Sequence, residues 1–354
     1  MNKIEQYYKD PSISNSLLGL MYNPRWVKMK MENPELEDKD KSFFRIGSAL
    51  DCLLTDPDRW DVEFIVVDAN KPYGLMGKFI DGLPEGLTPD SHTVLYIEAY
   101  EQSGYRMRLE NVISKFWENA EAVNYYQLTR NIASNVIILS RDEYDIVTKS
   151  KELIEANPFI RDFFNSKNKF HEILKQVPIY FTYKGEPCKG LLDGILIDHD
   201  KRTIQPYDLK TTRSVYDFPE SYLTYGYYRQ CAFYGIALQQ ETSPVYEYIK
   251  EGYEILDFLF IAVENKKTST FPAIIYRTNQ FDRERGIHGG WVKNKYYKGI
   301  DQLIDEYKYY RDNNYWDLPL DLLQSKGEIQ LHIFDESNTE KPILCITEPE
   351  SDSF

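Results

Sequence analysis

The sequence predicts an α/β (α+β) fold, with a central mixed β-sheet of about five strands flanked by helices behind a mainly helical N-terminal region. Three observations predict it. After residue 168, three strand-like runs follow one another at 177–183, 190–198 and 204–210, with turns at Lys184-Gly185 and at 199–202. A long aromatic helix at about 219–240 then precedes two further strands at 256–263 and 273–276. A last helical segment at 300–310 completes the order strands, helix, strands, helix, which closes as one sheet with helices packed on it.

The first half reads differently. Ser14 or Ser16 caps a short helix carrying Leu17, Leu18 and Met21, and Pro24 stops or bends it. A charged linker at 28–41 leads to Phe43, Phe44, Ile46, Leu50, Leu53 and Leu54, which recur at helical spacing until Asp56-Pro57. A short strand is expected at 63–68 and a β-branched run at 136–139. Ser140-Arg141-Asp142-Glu143 then forms a capping box, opening a helix that Asn157-Pro158 closes. The expected organisation is a helical N-terminal region over 1–135 with an inserted segment at about 61–135. The α/β core over 136–320 and an acidic C-terminal tail over 321–354 follow.

Composition narrows the function. The chain has 354 residues, 42% of them hydrophobic and 28% charged, enough for a sizeable core. The apolar runs are too short for a transmembrane helix and the first residues lack a secretory signal, so a cytoplasmic protein is expected. Cys52, Cys188, Cys231 and Cys345 are widely spaced, which argues for free buried thiols over a zinc ribbon or a disulfide framework. The five histidines form no HxxxH or HExxH pair. Lys and Arg total 42 against 56 Asp and Glu, a net charge of −14. That balance excludes a general DNA-coating or membrane-surface protein, although a local basic channel can still focus a field.

Three ionisable residues stand out. Asp193 sits among apolar neighbours in Gly190-Leu191-Leu192-Asp193-Gly194-Ile195, where a carboxylate is costly unless paired or bound to a cation. Asp208 and Lys210 share one face of the next strand, with Leu209 on the other, and the turn at 199–202 brings Asp193 alongside Asp208. Two carboxylates there would hold a hard divalent cation through oxygen, and an adjacent ammonium would orient the attacking water or neutralise charge on a phosphate. An exposed hairpin with a cross-strand ion pair would present the same letters. Downstream, Gln230 and Tyr234 lie four apart on one helical face, suited either to the site or to packing on the sheet.

The order Gly-x-x-Asp, a 14-residue gap, Asp-x-Lys-Thr and then Gln-xxx-Tyr resembles the PD-(D/E)xK nuclease superfamily. It is most similar to the branch of RecB-type nuclease domains and the RecE (exonuclease VIII) and lambda exonuclease group. Ser14-Asn15-Ser16-Leu17 with Asn23-Pro24, and Gly47-Ser48-Ala49-Leu50, resemble early segments of RecE-like proteins. The resemblance covers 12–56 and about 136–280. It implies a restriction-endonuclease-like core that binds Mg²⁺, with Mn²⁺ substituting, through Asp193, Asp208 and the Leu209 carbonyl. It makes Lys210 the catalytic lysine and lets Gln230 and Tyr234 position the scissile strand or the lysine. It also implies an exonuclease resecting duplex DNA ends for phage recombination or repair, working with a single-strand annealing protein and prone to self-association. An endonuclease or structure-specific nuclease, or a catalytically silent binding module, remain the alternatives.

The sequence departs from that pattern in four places. Asp51 stands where such enzymes carry a histidine, as a metal ligand or as a helix surface residue. Gln176 replaces an acidic residue at the start of the preceding strand, unless Glu172 takes that part. Leu192 replaces the proline of the family's motif, and Pro206 predicts an edge or a bulge in the Asp-x-Lys strand. Lys28, Lys30, Lys266, Lys267 and the run 293–298, with Trp291, Tyr296 and Tyr297, are candidates for DNA contact.

Overall fold

The computed structural model describes residues 3–33, 42–133, 136–293 and 295–328. Cys345, His332 and the acidic tail beyond 328 lie outside the described residues, as do positions 34–41 of the expected linker. Ten strands occur among the described residues: β1 (Phe64–Val67), β2 (Ile137–Ser140), β3 (His171–Tyr183), β4 (Glu186–Asp198), β5 (Thr203–Thr212), β6 (Glu254–Ile255), β7 (Leu259–Glu264), β8 (Ile274–Arg277), β9 (Gly290–Val292) and β10 (Lys295–Tyr297). The central mixed sheet runs β3-β4-β5-β7-β8, with β6 also paired to β5. β3, β4 and β5 form the expected antiparallel meander, whereas β5 and β7 are parallel. The α+β class read from the sequence is therefore the observed one.

Alternation along the strands assigns the two faces. Ile204, Phe260 and Ala262 point to a core shared with the Tyr227–Leu238 and Ile300–Asn313 helices and with Ile13, Leu18, Met21 and Val27. Tyr207, Leu209, Leu259, Ile261 and Val263 point the other way, to the Ser42–Thr55 and Arg141–Ala156 helices. Residues 76–126 bury Phe79, Tyr96, Phe116 and Tyr126 in a cluster of their own. The strand expected at 63–68 is β1, and it pairs in parallel with β2. The capping box at Ser140 and Glu143 is present, and Ser14 caps its helix by accepting from Leu17 N.

Several expectations are corrected. Pro24 opens a helix, Pro24–Glu32, at the first position, where its missing N–H costs nothing, so part of the expected linker is helical. The long aromatic helix is two, Phe218–Thr224 and Tyr227–Leu238, broken at Gly226, whose φ of 70° lies in the left-handed region. Pro206 marks neither an edge nor a bulge: β5 is central, and Pro206 pairs with Ile195 of β4. Its nitrogen faces the side where pairing to β6 ends at Ile204 and pairing to β7 begins at Tyr207, so no ladder bond is lost. Gln205 Nε2 fills that gap, donating to the carbonyls of Pro206 (3.1 Å) and Asp257 (2.6 Å).

Cys52, Cys188 and Cys231 are free and buried, as expected. Among the described residues no helix is long and apolar enough to cross a membrane.

The β4–β5 ladder stops at Gly194 and Tyr207, well short of either strand's end. Gly194 is needed there, because a Cβ would fall 2.1 Å from the Tyr207 ring. Gly194→Ala is therefore expected to destabilise the fold by about 1–3 kcal/mol through overpacking. Gly235→Ala, in a helix interior where the new Cβ meets nothing nearer than Arg283 Cδ at 3.5 Å, should stabilise by about 0.5–1 kcal/mol. Thermal melts of the two variants check both signs.

Candidate active site

Beyond Gly194 and Tyr207 the two strands part and leave a fork. The backbone groups facing it find other partners, as buried polar groups must. Ile13 bridges Cys188, accepting from Lys189 N (2.8 Å) and donating to Pro187 O (3.0 Å). Tyr234 OH donates to Leu191 O (2.8 Å), an approach that Gly190 permits, since a Cβ there would lie 2.7 Å from the Tyr234 ring. Leu209 N donates to Asp193 Oδ2 (2.7 Å). Strand geometry turns the Leu209 carbonyl to the same side as its N–H, toward Asp193.

The fork gathers the residues that the sequence singled out. Asp208, only 2% exposed, accepts from Gln230 Nε2 at Oδ1 (2.7 Å), while its Oδ2 makes an ion pair with Lys210 Nζ. Gln230 Nε2 also reaches Tyr234 OH (3.3 Å). Asp51 comes from the Ser42–Thr55 helix on the opposite face, and its Oδ2 accepts from Gln176 Nε2 (2.6 Å). Asp193, Asp208, Lys210, Gln230, Tyr234 and Asp51 thus converge. Glu172 does not join them; it accepts from Tyr248 OH (2.8 Å) and contacts His199 Nε2 (3.1 Å) instead.

Electrostatics follow from three carboxylates sharing one buried ammonium. Burial first, then the charges of Asp208 and Asp51, raise Asp193 well above the ordinary carboxylate range. Burial also raises Asp208, although Lys210 and Gln230 pull the other way. Asp51 is pushed up to about 7, by burial first and the Asp208 charge second, against the opposing Gln176 hydrogen bond. Burial alone would lower Lys210, but the Asp208 charge outweighs it and holds the ammonium protonated.

Such a site favours a divalent cation, which would relieve the mutual repulsion. One atom tests the fit: Asp51 Oδ1 is buried and has no hydrogen-bond partner among the described residues. A bound cation would satisfy it. Among the described residues no three His, Cys, Asp or Glu side chains stand placed to hold a metal ion as they are, so a cation would have to draw the carboxylates together. An open set of carboxylates and one carbonyl suits Mg²⁺, which keeps several of its waters.

Sequence reasoning missed the parts played by four residues. Tyr227 lies under Lys210, with Nζ 4.8 Å from its ring centre, and the 227, 230, 234 spacing on one helical face was a usable signal. Gly190 and Gly194 were visible but not their steric task. The contact of Gln176 with Asp51 carried no signal at all.

The basic candidates for DNA contact are mostly spent on acids. Lys28 faces Glu32 (3.9 Å), Lys266 faces Glu264 (3.7 Å), Lys267 pairs with Asp142 (2.7 Å), and Lys298 with Glu306 (2.6 Å) and Asp321 (2.7 Å). Trp291 and Tyr296 are exposed on the β9–β10 hairpin, their ring centres 5.5 Å apart.

No family model matches the chain, and no curated protein matches it. Among solved structures, the crystal structure of a candidate exonuclease from Eubacterium rectale is similar to it, with a TM-score of 0.43 and 12% identity over 80% of this chain and 81% of that one. A likeness at that level leaves the site to be read from its own geometry.

The raised carboxylates predict an unusual pH dependence. Folded Asp51 keeps its proton up to about pH 7, whereas the unfolded chain loses it near the ordinary value of 3.8. The folded state therefore binds more protons between those limits, and stability falls as pH rises through them, by up to about 1.4 kcal/mol per pH unit for each proton held. In EDTA, Tm should drop from pH 5 to pH 8, and Asp51→Asn should flatten the slope. Mg²⁺ should raise Tm more at pH 8 than at pH 5. A flat profile in EDTA would show that neither burial nor mutual repulsion raises these carboxyls.

Proposed function

We propose that this chain is a metal-dependent deoxyribonuclease that hydrolyses phosphodiester bonds. One observation carries the reading. Asp193, Asp208 and Asp51 converge with Lys210 at the fork, and Asp51 Oδ1 is left buried without a partner. A cross-strand ion pair on an exposed hairpin would explain Asp208 and Lys210 alone. It would not explain why Asp208 is buried and Lys210 largely covered, or why a third carboxylate arrives from the other face.

Asp193, Asp208, the Leu209 carbonyl and Asp51 would hold Mg²⁺, with Mn²⁺ as substitute. Bound there, the ion would polarise a phosphate oxygen and make water a better nucleophile. The chain's own residues do the rest. Gln230 fixes Oδ1 of Asp208 and so orients its second oxygen. Lys210, confined between Asp208 and the Tyr227 ring, holds a positive charge where negative charge develops on the phosphate. Tyr234 ties its helix to Leu191 O and keeps the fork open. Fixed charges in a buried setting need little rearrangement as the phosphate reacts, which is the main source of rate in such sites.

The finer reading is an exonuclease of the RecE/lambda type that resects duplex ends for phage recombination or repair in the cytoplasm. A single-strand annealing protein and further copies of the chain would be its partners. The sequence pattern around Asp193, Asp208, Lys210 and Gln230 supports it.

Matched linear and covalently closed circular duplex DNA, each with Mg²⁺ or EDTA, provide the test. Consumption of the linear form alone, stopped by EDTA, is expected. Asp208→Asn and Lys210→Met should each lower the rate at least about 100-fold while keeping the wild-type circular-dichroism spectrum. Loss of the circle as well would make the enzyme an endonuclease. No cleavage with Mg²⁺ or Mn²⁺ would sink the nuclease reading and leave a binding module.

A further inference from the structure

β3 and β4 keep one register from His171↔Asp198 to Tyr183↔Glu186, with a single missing pair, Gln176 opposite Asp193. No residue is inserted, yet the inside–outside alternation slips in both strands there. Leu174 and Ile195 face the same core as Val177 and Leu192, although a regular strand would put 174 and 177 on opposite faces. The cause is the backbone of Gln176, whose φ of 48° lies in the left-handed region that a non-glycine residue rarely adopts within a strand.

The reversal lets two consecutive side chains leave β3 toward one helix. Lys175 Nζ donates to Leu54 O (3.1 Å), and Gln176 Nε2 donates to Asp51 Oδ2 (2.6 Å), both on the Ser42–Thr55 helix. In a flat strand one of the two would point away. Of the two contacts, that of Lys175 ends on a backbone carbonyl, whereas that of Gln176 ends on a carboxylate whose other oxygen is buried and unpartnered at the fork. Strain of this kind persists only where the surroundings enforce it, and it concentrates at working sites.

We propose that Gln176 is a positioning residue: its reversed backbone and its hydrogen bond to Oδ2 aim Oδ1 of Asp51 at the cation site between Asp193 and Asp208. The proposal rests on the metal-dependent reading above for the cation. It deepens that reading by naming how a carboxylate from the opposite face of the sheet is recruited. A glutamine suits the task because it donates to the carboxylate and adds no further negative charge to a site that already holds three acids.

Gln176→Asn and Gln176→Gly test it, because both residues tolerate a positive φ and neither reaches Asp51. Both variants should fold with a Tm equal to or above that of the wild type. Both should bind Mn²⁺, titrated by calorimetry at fixed pH, about 10- to 100-fold more weakly, the usual scale for losing a group that orients a ligand. Adding Asp51→Asn to Gln176→Asn should cost little more than either change alone, since they act through one oxygen. Lys175→Met is the structural comparison, expected to lower Tm while leaving Mn²⁺ affinity within about twofold of wild type.

Wild-type affinity in the Gln176 variants, or an equal loss in Lys175→Met, would overturn the proposal. If the wild type binds no Mn²⁺, the metal reading fails instead. A crystal structure of Gln176→Asn then decides the positioning claim: Asp51 swung out of the fork upholds it, and Asp51 unmoved refutes it.

Discussion

Where the β4–β5 ladder stops decides most of what this chain can do. Had the two strands stayed paired to their ends, Asp193 would have met a backbone partner and Leu209 N–H would have been spent on β4. Tyr207, lying across Gly194, marks the last rung, and past it each strand turns to other company. β4 accepts the N-terminal segment at Ile13 and the hydroxyl of Tyr234, while β5 offers Leu209 N–H to a side chain. The site is therefore a gap in a hydrogen-bond network whose loose ends have been tied off by polar side chains. Asp193 and Asp208 sit within the sheet instead of in a surface cleft, which explains why they are so strongly desolvated.

That setting also resolves the charge. A net charge of −14 argues against broad contact with phosphate, and the surface lysines at 266, 267 and 298 are indeed matched by acids. Attraction for an anionic substrate would then come from the site. A divalent cation bound there as proposed would favour the ionised carboxylates and would in turn present positive charge to a phosphate. Electrostatics of this kind act over a few ångströms and leave the outer face acidic.

Much of this was legible because it depends on period. Asp208 and Lys210 alternate with Leu209, Gln230 and Tyr234 recur at one helical turn, and the turn at 199–202 makes β4 and β5 neighbours. Those relations are local, and a strand or a helix imposes them on any sequence. What failed to show was non-local or aperiodic. Pro206 looked like an edge signal because the gap between β6 and β7 opposite it cannot be read from its own neighbours. Gly226 broke a helix whose apolar pattern runs straight through it. The contact of Asp51 with Gln176 spans 125 positions and starts from a backbone with positive φ, which no periodic template contains.

The seating of the N-terminal segment has a consequence for how the chain assembles. Lys189 Nζ holds the carbonyls of Tyr7 and Asp10, both at 2.6 Å, the first across 182 positions of sequence. Residues 7–13 are synthesised well before β4, so the strand edge that receives them does not yet exist when they emerge. At about 5–20 residues per second they wait roughly ten seconds or more for that partner. Contacts of such long range form late, because the loop they close must be ordered before they give anything back. The sheet can thus collapse with its fork unfilled, and residues 7–13, made before the edge that holds them, become among the last to be placed.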